Sequence, residues 1–172
     1  MNRVCPEIVA QASLPVIDAQ SATKQMPDHT YRRNLPHWRQ DNSIYFVTWR
    51  LAHGQPELDS TERDLVMAAI RKFEGQRYKL SAYVVMDDHV HALLALLPPN
   101  ELKAILHSWK SFTARQMQRE HKRFGQVWQD ESFDRIVRDD QEFAQKAAYI
   151  IGNPQKRWPE VRDYSWVWPA GI

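Results

Sequence analysis

The stretch Ala82-Tyr83-Val84-Val85-Met86-Asp87-Asp88-His89-Val90-His91-Ala92-Leu93-Leu94-Ala95-Leu96 decides how the rest of the chain is read. One apolar run ends at Met86, turns through two aspartates and restarts at His89 on a second apolar run. The pattern predicts a hairpin with strands over 79–86 and 89–97. Its Asp87-Asp88 link can supply the positive φ values of a two-residue turn, though less readily than Asn-Gly. Side chains alternate along a strand, so His89 and His91 share a face, roughly 7 Å apart along the backbone. Two imidazoles on one rigid face can share a divalent metal. In sequence, a satisfied polar pair at a strand end looks the same.

Upstream, Ser43 to Ala52 is β-branched and aromatic and reads as a strand, broken by Gly54 and Pro56. Asp59, three before Glu62, is a cap-like start for a helix bearing Leu65, Val66, Ala69, Ile70 and Phe73, which Gly75 stops. Downstream, Pro98-Pro99 ends the hairpin. Glu101 to about Lys122 reads as the longest helix, striped by Leu102, Ile105, Leu106, Trp109, Phe112, Thr113 and Met117. Phe133 to Val137 reads as a fourth strand. Asp139 or Asp140 opens a last helix with Phe143, Ala144, Ala147, Ala148 and Ile151 on one side, limited by Pro154.

The order β-α-β-β-α-β-α predicts an α+β domain: a ferredoxin-like β-α-β-β-α-β sheet with helices on one face, plus a C-terminal helix. That last helix carries Tyr149, with Asn153 four residues on. With the other helices on one side, the face bearing His89 and His91 is expected to be free. The last helix then brings Tyr149 across the sheet edge.

At 172 residues the chain suits one domain with a real core. Residues 1–30 are polar, contain Pro6, Pro15 and Pro27, and read as a weakly structured leader. Residues 31–172 read as the single domain. The formal charge of +2 does not announce nucleic acid. Its distribution says more: Lys110, Arg115, Arg119, Lys122 and Arg123 stand against Glu120 alone between His107 and Arg123. By charge, such a run is first of all a solvated helix face. The one cysteine, Cys5, rules out an internal disulfide and fits a reducing compartment. No apolar stretch reaches membrane-spanning length and no signal-peptide pattern opens the chain, so no membrane partner and a cytoplasmic location are expected.

Two neighbouring chemistries are excluded. A histidine-triad hydrolase needs a third alternating histidine, and position 93 is leucine. A zinc deaminase needs His-x-Glu with Cys-x-x-Cys, and neither is present. Two imidazoles and an amide suit zinc, nickel or manganese by ligand preference. Tyr149 taken alone reads as a core aromatic, and Asn153 before a proline as a helix-ending residue.

Taken together, these segments resemble a family. His89-Val-His91 after Val84-Val-Met-Asp-Asp88, with Tyr149-Ile-Ile-Gly-Asn153-Pro154 downstream, is similar to the single-tyrosine HUH transposases, and more closely to REP-associated tyrosine transposases. Leu35-Pro-His-Trp38, Tyr45 to Leu51, Leu106 to Thr113 and Trp128 to Arg138 also resemble that group, so the likeness runs from about Arg33 to Trp168. The resemblance implies a metal-dependent endonuclease and strand transferase. It implies as substrate single-stranded DNA with hairpins, such as repetitive extragenic palindromes. It makes His89 and His91 the metal pair, Asn153 a third ligand, Tyr149 the nucleophile, and Mg2+ or Mn2+ the ion. Asp87-Asp88 departs from the Pro-Asn often found there, which can alter the turn or add negative charge near the ion.

An unperturbed phenol, with a pKa near 10, is a poor nucleophile, and a phosphodiester repels anions. A divalent ion at the histidines answers both problems. Attack by Tyr149 would leave a covalent phosphotyrosine, 5′-linked by the resemblance, that conserves the bond for rejoining. Lys110, Arg115, Arg135 and Arg138 are candidate phosphate contacts. Trp38, Trp49, Trp109 and Trp128 are candidate base-stacking residues, although Trp109 lies on an apolar stripe. A protein that keeps the fold and binds hairpins without cleaving them is the alternative. The chain is expected to act as a monomer or homodimer.

Overall fold

The computed structural model describes residues 43–169. The expected leader over 1–30, the domain boundary near Tyr31, and Trp38 lie outside the described residues. In chain order the elements are β1 (Ile44–Arg50), α1 (Ser60–Arg71), β2 (Tyr78–Val85), β3 (His89–Leu96) and α2 (Leu102–Glu120). There follow β4 (Phe133–Ile136), α3 (Asp140–Ile151), α4 (Asn153–Arg157) and β5 (Val167–Pro169).

The strands form one antiparallel sheet in the order β4-β1-β3-β2-β5. Its first six elements follow the expected β-α-β-β-α-β order, so the α+β reading holds. β5 is an addition: three residues that pair with the outer edge of β2.

The sheet has two different faces. α1 and α2 cover one of them, where Val47, Trp49, Tyr78, Leu80, Tyr83, Val85, Val90, Ala92 and Leu94 are buried. Along β2 these residues are even-numbered up to Leu80 and odd-numbered from Tyr83. The register shift between Leu80 and Ala82 re-phases the strand by one residue. Much of the aromatic centre of this layer is hydrogen-bonded, although the buried Tyr83 hydroxyl has no hydrogen-bond partner. Trp109 Nε1 donates to the Tyr78 hydroxyl, which donates to the Ile70 carbonyl, and Trp128 Nε1 donates to Thr113 Oγ1. Trp49 stacks on Trp109 at 5.5 Å. Trp49, Trp109 and Trp128 are all buried, so none of the three presents a face to a base.

α1 begins as expected. The Asp59 side chain accepts from Glu62 N at 2.8 Å while Glu62 Oε2 accepts from Asp59 N at 3.0 Å, a reciprocal capping box. The chain leaves that helix through Gly75, whose φ of +75° suits a residue without a Cβ.

The histidine face is not free. Ile44, Phe46, Ala82, Val84, Met86 and Leu93 are buried on it beneath Phe143, Ala147 and Ile150 of α3. An apolar sheet face has to be covered, and the unbroken apolar runs of β2 and β3 already carried that signal. α3 therefore lies over the face instead of crossing its edge. Ala144 and Ala148, expected on its buried side, are exposed, and Ile150 takes the place given to Ile151. At about 100° per residue, 143, 147 and 150 fall within an arc of about 60°, and the expected set lies on an arc centred about 60° further round the helix toward Ala144 and Ala148.

The Asp87-Asp88 turn also differs. Lys122 is the only described non-glycine residue with a positive φ, so the turn is not built on left-handed residues. Its backbone is held from outside: Asp87 O accepts from Leu58 N at 2.6 Å and Asp88 O from Leu51 N at 2.9 Å.

Candidate active site

His89 and His91 project from the start of β3 with their ring centroids 4.7 Å apart. Antiparallel pairing sets Thr48 opposite His91 and Arg50 opposite His89. His91 is buried under Phe46, which stacks on it at 5.5 Å. Its Nδ1 is hydrogen-bonded to Thr48 Oγ1 at 2.7 Å, while its Nε2 is buried with no hydrogen-bond partner. Buried polar atoms without partners are rare, and each asks for an explanation. His89 Nδ1 is bonded to Asp88 Oδ1, and the other oxygen of Asp88 lies 3.5 Å from Arg50 Nη1. Each imidazole thus has its Nδ1 held by a neighbour and keeps Nε2 for another role, the outer-shell arrangement typical of metal-ligating histidines.

The electrostatics agree. Burial, helped by the charges of His89 and Arg50, pushes the His91 pKa from 6.5 down to about 3, which keeps the imidazole neutral. A neutral imidazole is the ligating form. Burial opposes ionisation of Asp88, but its bond to His89 and the nearby Arg50 hold its carboxyl below the usual range.

Tyr149 comes to the same place from α3. Its ring meets His91 edge-on with centroids 5.2 Å apart, and Phe46 at 6.2 Å. At 40 % exposure it is not a core aromatic. Lys156 Nζ stands 4.1 Å from the Tyr149 ring centroid, and Lys146 Nζ stands 4.8 Å from that of Phe46. Asn153 is buried, but it does not continue the tyrosine's helix. α3 stops at Gly152, and Asn153 opens α4 with Pro154 in its first turn. Proline lacks an amide hydrogen and is suited to that position, so it starts a helix here as well as ending one.

The expected phosphate contacts are scattered. Lys110 and Arg115 lie on α2, across the sheet from the histidines. The Lys110 ammonium donates to Asp130 O at 2.8 Å and Ser132 Oγ at 3.2 Å, beside a cleft of about 710 Å³ between α2 and the segment 126–134. Partial burial there lowers its pKa. Arg115 Nε donates to Ser111 O of its own helix. Arg135 is paired with Glu142 at 2.6 Å, and Arg138 is exposed just before α3. Arg123, counted in the basic run, is buried and forks onto both oxygens of Glu62.

The sequence reading missed Thr48, Arg50, Lys146 and Lys156. The first two had a signal, since they alternate along β1 as the histidines do along β3. The lysines had none, because only packing brings α3 and α4 to the histidines.

Asp59, Glu62 and His121 also bring ligand atoms within 4.8 Å of one another. There the carboxylates already serve the α1 cap and Arg123. No helix among the described residues is long and apolar enough to cross a membrane.

Known structures share this architecture. A REP-associated tyrosine transposase bound to a REP hairpin superposes with a TM-score of 0.63 at 19% identity, over 77% of this chain and 82% of that one. A candidate transposase from Deinococcus radiodurans R1 superposes with a TM-score of 0.50 at 22% identity, over 69% of this chain and 97% of that one. No curated protein matches the sequence. The family described as "Transposase IS200 like" matches residues 42–152, which take in β1 to β4, both histidines and Tyr149, and the chain belongs to that family.

Proposed function

We propose that the chain is a metal-dependent endonuclease and strand transferase for single-stranded DNA beside hairpins of repetitive extragenic palindromes, working through a covalent 5′-phosphotyrosine. One observation carries this reading: the exposed Tyr149 stands against the buried imidazole of His91, whose Nε2 has no hydrogen-bond partner, within one chain. His89 and His91, with Asn153 as a third ligand, would hold the ion; this donor set suits Mn2+ by ligand preference, and Mg2+ enters through the family resemblance. When bound, the ion supplies Lewis-acid polarisation of a phosphate oxygen.

The side chains do the rest. Thr48 and Asp88 hold the two Nδ1 atoms, so that both Nε2 atoms face the site. Lys146, Lys156 and Arg50 are the cations nearest the incoming phosphate. Tyr149 attacks the phosphorus in line: a bond forms to its phenol oxygen as the bond to the 3′-oxygen breaks. The phenol proton goes to solvent and the leaving oxygen takes one up. A second 3′-hydroxyl reverses the step and joins strands. The hairpin is supported by the solved relative that holds one. Lys110, Arg115, Arg135 and Arg138 remain its proposed phosphate contacts, although the first three already bond within the protein.

The test is incubation with a hairpin flanked by single-stranded DNA and Mn2+, followed by a denaturing gel. A covalent adduct is expected from the wild type and none from Tyr149→Phe, with DNA affinity nearly unchanged. An adduct from the Phe variant removes Tyr149 as nucleophile. Tight binding without any adduct makes the chain a hairpin-binding protein that does not cleave.

A further inference from the structure

We propose that the ion pair between Asp87 and Arg157 is a latch that positions Tyr149 over the histidines, a role that rests on reading Tyr149 as the nucleophile. Asp87 lies in the hairpin turn two residues before His89. Arg157 ends α4, eight residues after Tyr149. The guanidinium reaches back to the turn: Nε donates to Asp87 Oδ2 at 3.0 Å and Nη2 to the same oxygen at 2.7 Å. Nη2 also donates to Glu57 Oε1 at 3.0 Å. Asp87 is buried, and its main-chain oxygen is tied to Leu58 N. One arginine thus joins the turn before the histidines, the segment before α1, and the segment after the tyrosine.

Three observations make this more than packing. First, the pair lies just past a break in the tyrosine's helix. α3 is seated on the sheet by Phe143, Ala147 and Ile150 but breaks at Gly152, one turn after Tyr149, and the chain resumes as the short α4 that Arg157 ends. Beyond Arg157 the next firm attachment is Trp158, which stacks on Tyr164, whose hydroxyl donates to Val85 O at 2.8 Å. Second, Asp87 is buried but Arg157 is half exposed, so the pair adds little stability by charge alone; what it supplies is a fixed geometry, with two guanidinium donors on one carboxylate oxygen. Third, the pair spans the two parts whose relative placement sets the reaction. The hairpin carries His89 and His91, and the linked segment carries Tyr149 and Asn153. Ångström-scale misplacement of reacting groups lowers rates by about a hundredfold.

The test compares wild type, Asp87→Asn, Arg157→Ala, Arg157→Lys and the double variant Asp87→Asn/Arg157→Ala. Three quantities are read: the single-turnover rate of adduct formation, the Kd for the hairpin substrate, and deuterium uptake by peptides across the domain. The latch predicts that Asp87→Asn and Arg157→Ala each slow adduct formation ten- to a hundredfold with Kd within twofold. It predicts that the double variant is no slower than the slower single one and that Arg157→Lys recovers part of the rate. Uptake should rise in 148–157 and not in the core strands. Unchanged uptake in 148–157 overturns the proposal, whether or not the protein cleaves DNA. A rate loss matched by an equal loss of affinity makes Arg157 a DNA contact, and a rise in uptake throughout makes the pair merely structural. Either result overturns the latch as well. A wild type that forms no adduct refutes the nucleophile reading on which the role rests, and the latch's part in catalysis falls with it. A normal wild-type adduct with normal variant rates refutes the latch alone.

Discussion

Thr48→Val tests the site through one hydrogen bond. The two side chains are nearly the same size, so the change removes the hydroxyl and little else. Thr48 Oγ1 lies 2.7 Å from His91 Nδ1, on an imidazole that is only 4 % exposed. In the ligating tautomer Nδ1 carries the proton and donates it to Thr48. Valine leaves that N–H buried and unpaired, which costs about 1–3 kcal/mol. For a domain of about 130 residues the unfolding entropy is about 0.27 kcal/mol/K, so Tm should fall by about 4–11 °C. Loss of such an outer-shell partner also lowers metal affinity or activity by about 10- to 100-fold. Calorimetry reads the first effect, and Mn2+ titration of single-turnover cleavage reads the second. Excess Mn2+ should restore part of the rate, because the ligand atom remains. A variant with unchanged Tm and an unchanged Mn2+ dependence would refute the view that Thr48 orients His91.

Three further outcomes follow from the same geometry. Arg123→Ala strands the buried Glu62 carboxylate and should destabilise the domain by about 3–5 kcal/mol in urea titration, with Glu62→Gln in the same background recovering part; a loss below about 1 kcal/mol would argue against it. His91 has its folded pKa lowered to about 3 from 6.5, so the unfolded chain takes a proton that the folded one refuses. Its contribution therefore falls as pH drops from 6.5 toward 3, by up to about 1.4 kcal/mol per pH unit, and His91→Asn should flatten the urea stability between pH 6.5 and 4 by comparison with wild type. Binding and cleavage should favour a hairpin flanked by single-stranded DNA over the same sequence as duplex, where opening costs about a kilocalorie per mole or more per base-pair step. Affinity should weaken steeply with salt, and equal behaviour of the two DNA forms at matched salt would count against the single-strand reading.

Local pattern was enough to read the first seven elements, β1 to α3, and the histidine pair. Both depend on local periodicity: alternation along β1 and β3, a stripe along α2, and a capping box at Asp59. His89 and His91 share a face wherever that strand lies, because strand geometry requires it. Alternation cannot say what covers a face. Only the tertiary structure laid α3 over the histidines, since Phe143, Ala147 and Ile150 needed an apolar surface and β2 and β3 offered one. The same packing left Tyr149 exposed beside His91, which its place on an amphipathic helix had argued against. β5 has three residues and forms only because β2 has a free edge, so no local pattern could announce it. Charge was least legible of all. Arg123 and Lys110 belong to the same basic run, yet one is in a buried ion pair and the other is bonded to a carbonyl. The cations that reached the site, Lys146, Lys156 and Arg50, come from three separate elements, and only the folded chain brings them together.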